Sequence, residues 1–108
     1  MKNRLLIELE IHRKAINRDI INPLIPELSL DDLKPLLALV ALARADYVKT
    51  LLNLPAAVGE NTPEVEHIKE LRNKRIIFEE LVDAVNALET VIQREYMDVK
   101  SKPKNQTF

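Results

Sequence analysis

The chain is 108 residues long, which is enough for one hydrophobic core, and its lack of cysteine excludes disulfides and thiolate chemistry. A net charge of −1, with two tyrosines, two phenylalanines and no tryptophan, argues against a basic nucleic-acid surface on which bases stack. The longest apolar run, residues 36–43, is too short to cross a bilayer. Glu8 and Glu10 interrupt the N-terminal segment that would be continuously apolar in an export signal. We therefore expect a cytoplasmic protein with no membrane or nucleic-acid partner.

The first element is predicted to be a helix over residues 3–22. Apolar side chains and one histidine recur at helical spacing along this segment, at Leu5, Leu9, His12, Ile16 and Ile20. Residues 4–11 also alternate as a strand would, but that pattern stops at Arg13, and a lone strand has no partner in this sequence. We therefore favour a helix, which Asn22 and Pro23 end because the residue before a proline leaves the α region.

A second helix is predicted over residues 30–54. Ser29 and Asp32 have the spacing of a capping box that opens it. Its apolar residues cover more than one face, which is typical of a helix surrounded by other elements. Pro35 is expected either to kink this helix or to restart it, and Pro55 is expected to stop it.

A third, longer helix is predicted over residues 63–99. Thr62 and Pro63 form a typical helix start, and no further breaker occurs before Pro103. The polar residues 101–108 are expected to form a disordered tail. Because short linkers make neighbouring helices antiparallel, these elements predict an all-α fold, an antiparallel three-helix bundle within a single domain of residues 1–100.

Four charged residues are predicted to form a polar layer inside this bundle: Glu8, Arg44, Glu70 and Lys74. The linkers place position 44 of the second helix opposite about 73 of the third and about 7 of the first. We interpret the layer as structural, with Arg44 paired to Glu70 or Glu8. An anion-binding or catalytic cluster, or long side chains that extend into solvent, would fit the same pattern.

The two histidines provide a metal-binding alternative. Glu64 and His67 have the Glu-x-x-His spacing of di-iron carboxylate bundles, and Glu8 and His12 lie one helical turn apart. Within one chain the two pairs lie at levels about 16 Å apart, so only a dimer could bring them onto one metal. We expect surface histidines and no cofactor.

The sequence has no spacing typical of a nucleophilic triad and no glycine-rich phosphate loop, so we expect a non-enzymatic protein-interaction module, such as an adaptor, a regulatory subunit or a dimerisation domain. The third helix is predicted to be longer than the second, which leaves an apolar strip uncovered. We predict a homodimer that forms a larger bundle through this strip and two leucines of the second helix: Leu88, Val91, Ile92, Tyr96, Val99, Leu39 and Leu42.

Overall fold

The computed structural model describes residues 2–100, which form three α-helices: α1 (Lys2–Ile21), α2 (Leu30–Val58) and α3 (Val65–Gln93). The all-α class is confirmed, and residues 4–11 are helical rather than extended. Within residues 2–100 the β-structure consists of one isolated parallel bridge between Leu28 and Val99. The predicted tail, residues 101–108, lies outside the described residues. The same part of the chain contains no helix long and apolar enough to cross a membrane.

The start of α2 is the predicted capping box. The backbone N–H of Ser29 donates to the carboxylate of Asp32 at 2.8 Å, and the N–H of Asp32 donates back to the Ser29 hydroxyl at 3.4 Å. These bonds satisfy amide groups that have no partner within the helix. The Ser29 hydrogen bonds also lower the pKa of Asp32, because they favour the charged carboxylate.

The prediction that α2 ends at residue 54 is wrong. The helix contains both Pro35 and Pro55 and continues to Val58. A proline lacks only its own N–H donor, and the carbonyl of Pro55 still accepts the N–H of Gly59 at 2.9 Å. Gly59 has a φ of 63°, the left-handed conformation that ends many helices and that glycine adopts without strain.

The helix α3 begins at Val65, two residues later than predicted. The carbonyl of Glu64 accepts the N–H of Ile68 at 3.2 Å, which makes Glu64 the N-cap residue. His67 Nδ1 accepts the N–H of Glu64 at 3.2 Å. His67 therefore fills the place that a glutamate or glutamine takes in a capping box.

The predicted end of the third helix, residue 99, is also wrong, since α3 ends at Gln93. The N–H of Tyr96 donates to the carbonyl of Val91 at 2.9 Å, and the N–H of Glu95 donates to Ile92 at 3.1 Å. Together with a φ of 61° at Glu95, these two bonds define a Schellman motif. The chain turns there, so residues 94–100 leave the helix axis.

The fold divides into two units. Unit 1 comprises residues 2–33 and 87–100 of the described chain, and unit 2 is Lys34–Asn86. The buried residues of the described chain, Tyr96 (7% exposed) and Met97 (3% exposed), belong to unit 1. Unit 1 also holds a set of half-buried apolar residues: Ile21, Ile25, Leu28, Leu33, Leu88, Val91 and Ile92. The carbonyl of Leu28 accepts the N–H of Lys100 at 2.7 Å, so a backbone hydrogen bond joins the linker to the segment after α3.

Unit 2 is an antiparallel hairpin of α2 and α3 with a single seam. Apart from Val58 and Val82, the half-buried positions follow one another at alternating spacings of three and four, which is typical of two helices that pack along one line: Val40, Ala43, Tyr47, Thr50 and Leu54 on α2, and His67, Leu71, Lys74, Phe78, Leu81 and Val85 on α3. The rings of Tyr47 and Phe78 meet across the seam with centroids 6.1 Å apart. No residue of either helix is buried, because each helix is covered on one side only.

Candidate interaction surface

The most exposed apolar surface of the described chain lies on α1. Every residue from 3 to 16 is exposed. Six of them are large apolar residues that each expose between 46% and 70% of their surface: Leu5, Leu6, Ile7, Leu9, Ile11 and Ile16. They lie on both sides of the helix, so α1 presents apolar surface well beyond the single stripe that a bundle helix buries.

The other end of α1 is held by a polar cluster in unit 1. Lys14 Nζ lies 3.0 Å from the carboxylate of Glu95, and Arg18 donates to the Glu95 carbonyl at 2.8 Å and to the carboxylate of Asp98. Asn22 accepts the N–H of Asp98 at 2.9 Å. The hydrogen bond from Arg18 lowers the pKa of Asp98 below its ordinary value of 3.8. These contacts fix the turn after α3 against the last turns of α1.

The structure does not place the four predicted polar-layer residues in a buried layer. Arg44, Glu70 and Glu8 are exposed and Lys74 is half-buried. Glu8 pairs with Arg4 within α1 at 3.7 Å. An interior layer requires helices that are covered on several sides, whereas the α2–α3 hairpin has one seam.

Two of these residues contact other partners in unit 2. The Lys74 ammonium lies 2.8 Å from the carboxylate of Asp46, and this hydrogen bond raises the pKa of Lys74. The guanidinium carbon of Arg44 lies 5.1 Å from the centroid of the Phe78 ring, a cation–π distance. Arg44 therefore contacts the ring of Phe78, the seam residue that follows Lys74 on α3, rather than one of the acids with which it was expected to pair.

The metal-binding alternative gains no support from the geometry of the described residues. Within residues 2–100 no three histidine, aspartate or glutamate side chains converge as an ion would require. His67 uses Nδ1 for the Glu64 amide, and Glu8 pairs with Arg4. A site shared between His12, Glu8, Glu64 and His67 of two chains stays a prediction.

The strip predicted to dimerise divides into two parts. Tyr96 is buried in unit 1, and Leu88, Val91 and Ile92 are half-buried there, because the chain turns at Glu95 and the linker residues Ile25 and Leu28 belong to the same unit. This part is not a free strip. Three predicted interface residues remain exposed, at 47% for Val99, 46% for Leu39 and 68% for Leu42.

A second surface, which the sequence pattern did not distinguish from the core, lies on one side of the hairpin in unit 2. Two shallow grooves meet there at Arg44: one is also lined by Phe78, Glu79, Val82 and Asp83, the other by Leu37, Val40, Val82, Val85 and Asn86. Helical periodicity places further residues on the same side. We call this surface the Arg44 face, and it comprises Leu37, Ala41, Arg44, Val48 and Leu51 of α2 with Arg72, Arg75, Glu79 and Asp83 of α3.

Comparison of the chain with protein-family models, with curated protein sequences and with solved structures finds no match in any of the three.

Proposed function

We propose that this chain is a non-enzymatic helical interaction module in the cytoplasm, which completes its hydrophobic core by binding another helical surface, foremost that of a second copy of itself. The observation that carries the proposal is the imbalance of burial. In the described chain two residues are buried, both in unit 1, while twenty-one large apolar residues are exposed. Extended apolar surface of this kind on a monomer typically marks a binding site.

The energetics support the same proposal. Full burial of a leucine or isoleucine side chain stabilises a fold by roughly 1.5–3 kcal/mol, and most such side chains on α1 and α2 do not gain it within one chain. A small helical domain with so little buried surface is marginally stable alone. A partner that covers these helices would supply the missing burial, because association and folding are then linked.

Sedimentation equilibrium and thermal unfolding over a series of protein concentrations test this proposal. We expect a concentration-dependent dimer whose melting temperature rises with concentration, as mass action requires. An apolar fluorescent dye should bind at low concentration and be displaced as the dimer forms. A chain that stays monomeric at tens of micromolar and binds dye would restrict the proposal to a different helical partner. A monomer that excludes the dye would contradict it.

A further inference from the structure

The apolar part of the Arg44 face is symmetric about its centre. Leu37 and Leu51 expose 55% and 52% of their surface at the two ends of the α2 stripe, and Ala41 and Val48 lie between them. Both pairs have their midpoint at positions 44 to 45. An antiparallel copy of α2 on this face would therefore place leucine against leucine and the small Ala41 against Val48, so that the two backbones approach closely.

The charged part of the same face is self-complementary. Along α3, Arg72 and Arg75 come first, and Glu79 and Asp83 follow one and two turns later, all of them exposed. Arg75 with Glu79, and Arg72 with Asp83, have their midpoints at positions 77 to 78. An antiparallel copy of α3 therefore faces each arginine with an acid, whereas a parallel copy faces each arginine with an arginine.

The register of the hairpin joins these two patterns. The centre of the apolar pattern is Arg44 and the centre of the charge pattern is next to Phe78, and the Arg44 guanidinium lies directly over the Phe78 ring. One axis across the hairpin at this level satisfies both helices together. Nothing in the sequence requires two separate helices to have their centres of symmetry at the same level.

We infer that a second copy of this chain binds the Arg44 face, related by a two-fold axis that crosses α2 and α3 at Arg44 and Phe78, to form an antiparallel four-helix bundle from two hairpins. This inference rests on the proposed function and specifies the surface it uses. The α2 stripes form the apolar centre, and the α3 charges at the edge select the antiparallel orientation, because exposed ion pairs contribute more to specificity than to affinity. The groove around Arg44 is lined by Glu79 and Asp83, which offsets the approach of the two Arg44 side chains at the axis.

Charge reversal tests whether the Arg44 face forms the interface. Arg72→Glu with Arg75→Glu makes the α3 part of the face uniformly acidic, and Glu79→Lys with Asp83→Lys makes it uniformly basic. Each double variant alone should dimerise about tenfold more weakly than the parent or worse, and an equimolar mixture of the two should regain the parent affinity as a heterodimer. The matched control is Lys49→Glu with Lys69→Glu, which carries the same change of charge outside the face and should dimerise like the parent after circular dichroism confirms its helicity.

The outcomes separate the two proposals. A parent that does not associate at all contradicts self-association and with it this inference. A parent that associates, while both face variants associate equally well and do not prefer each other, overturns this inference and leaves the proposed function standing.

Leucine substitutions give a test that does not depend on charge. Leu37 and Leu39 are similarly exposed, at 55% and 46%, but lie on opposite flanks of α2. Leu37→Gln should weaken the dimer and Leu39→Gln should not. The reverse result would place the interface on the flank of Leu39 and overturn the inference.

Cysteine cross-linking tests the orientation directly, and the natural chain contains no cysteine that would form other disulfides. In the inferred dimer position 41 faces position 48 of the other copy, while the two copies of position 41 lie about 10 Å apart along the helix axis. That separation exceeds the reach of a disulfide. A mixture of Ala41→Cys and Val48→Cys chains should therefore form mixed disulfides. Cross-links that join only identical chains would show a parallel dimer and overturn the inference.

Discussion

Replacement of Glu95 by glycine should stabilise the protein relative to replacement by alanine, which is the reverse of the usual order. Glu95 is not a glycine, yet its φ is 61°. A residue with a Cβ atom in this left-handed conformation costs roughly 1–2 kcal/mol. Both variants lose the ion pair with Lys14, which is exposed and contributes at most about 1 kcal/mol. Both keep the Glu95 carbonyl that accepts from Arg18.

The difference between the two variants thus isolates the backbone strain. We expect Glu95→Gly to be more stable than Glu95→Ala by about 1 kcal/mol, which shifts the melting temperature by about 4 °C or more for a chain of this size. The measurement is urea and thermal unfolding at one fixed protein concentration, followed by circular dichroism. As a control, His12→Ala should be more stable than His12→Gly, by a similar amount, because position 12 is an exposed position in the middle of α1. Equal stability of the two variants at position 95 would show that no strain is stored there.

Three further predictions concern single residues. Met97→Ala should lower the free energy of unfolding by about 2–4 kcal/mol, whereas Met97→Leu should cost less than about 1.5 kcal/mol, because only the first removes volume from the buried centre of unit 1. Arg18 lowers the pKa of Asp98, so the ionised carboxylate stabilises the fold above its unfolded pKa, and this stabilisation is lost as the pH falls through the folded pKa. The parent and Asp98→Asn should therefore differ in urea midpoint at neutral pH and converge below about pH 4. His67→Ala should lower the melting temperature by removing the acceptor for the Glu64 amide, whereas His67→Gln should not, and identical melting of the two variants would contradict the cap.

Local rules predicted the local features of this fold. Three helices, the capping box at Ser29 and the end of the first helix near Asn22 all follow from spacing and from proline chemistry, and the structure agrees to within a residue at these points. The start of α3 deviates by two residues, because Glu64 and His67 provide a cap further along than Thr62. Such shifts are normal where neighbouring residues compete for one cap.

The end of α3 could not be predicted in the same way. No glycine or proline lies between residues 64 and 102, and Glu95 carries no signal for a left-handed turn. Its conformation is held by Lys14 and Arg18, which lie far away in sequence. The one local hint is the spacing of Val91 and Tyr96, which matches the apolar pair that often accompanies a Schellman motif.

The prediction of the hairpin register was wrong for a related reason. Ending the second helix at Pro55 placed position 44 opposite about 73, whereas Arg44 lies over Phe78. Continuation of α2 through Pro55 to Val58 moves the connection along the chain and shifts every level of the seam. The composition of the Arg44 face was visible in the sequence, but its two centres of symmetry could be related only once this register was known.

The contacts of Arg18 and Asn22 with the residues after α3 also determine the order in which the protein can fold during synthesis. These hydrogen bonds join residues 76 to 80 positions apart. On the ribosome α1 emerges first but cannot form these contacts until Asp98 has emerged, whereas the hairpin of unit 2 is complete once Asn86 has emerged. Distant contacts of this kind close slowly, because the loop entropy is lost before the contacts form. We therefore expect unit 2 to assemble first, and the end of α1 that carries Arg18 to stay undocked until Asp98 has emerged.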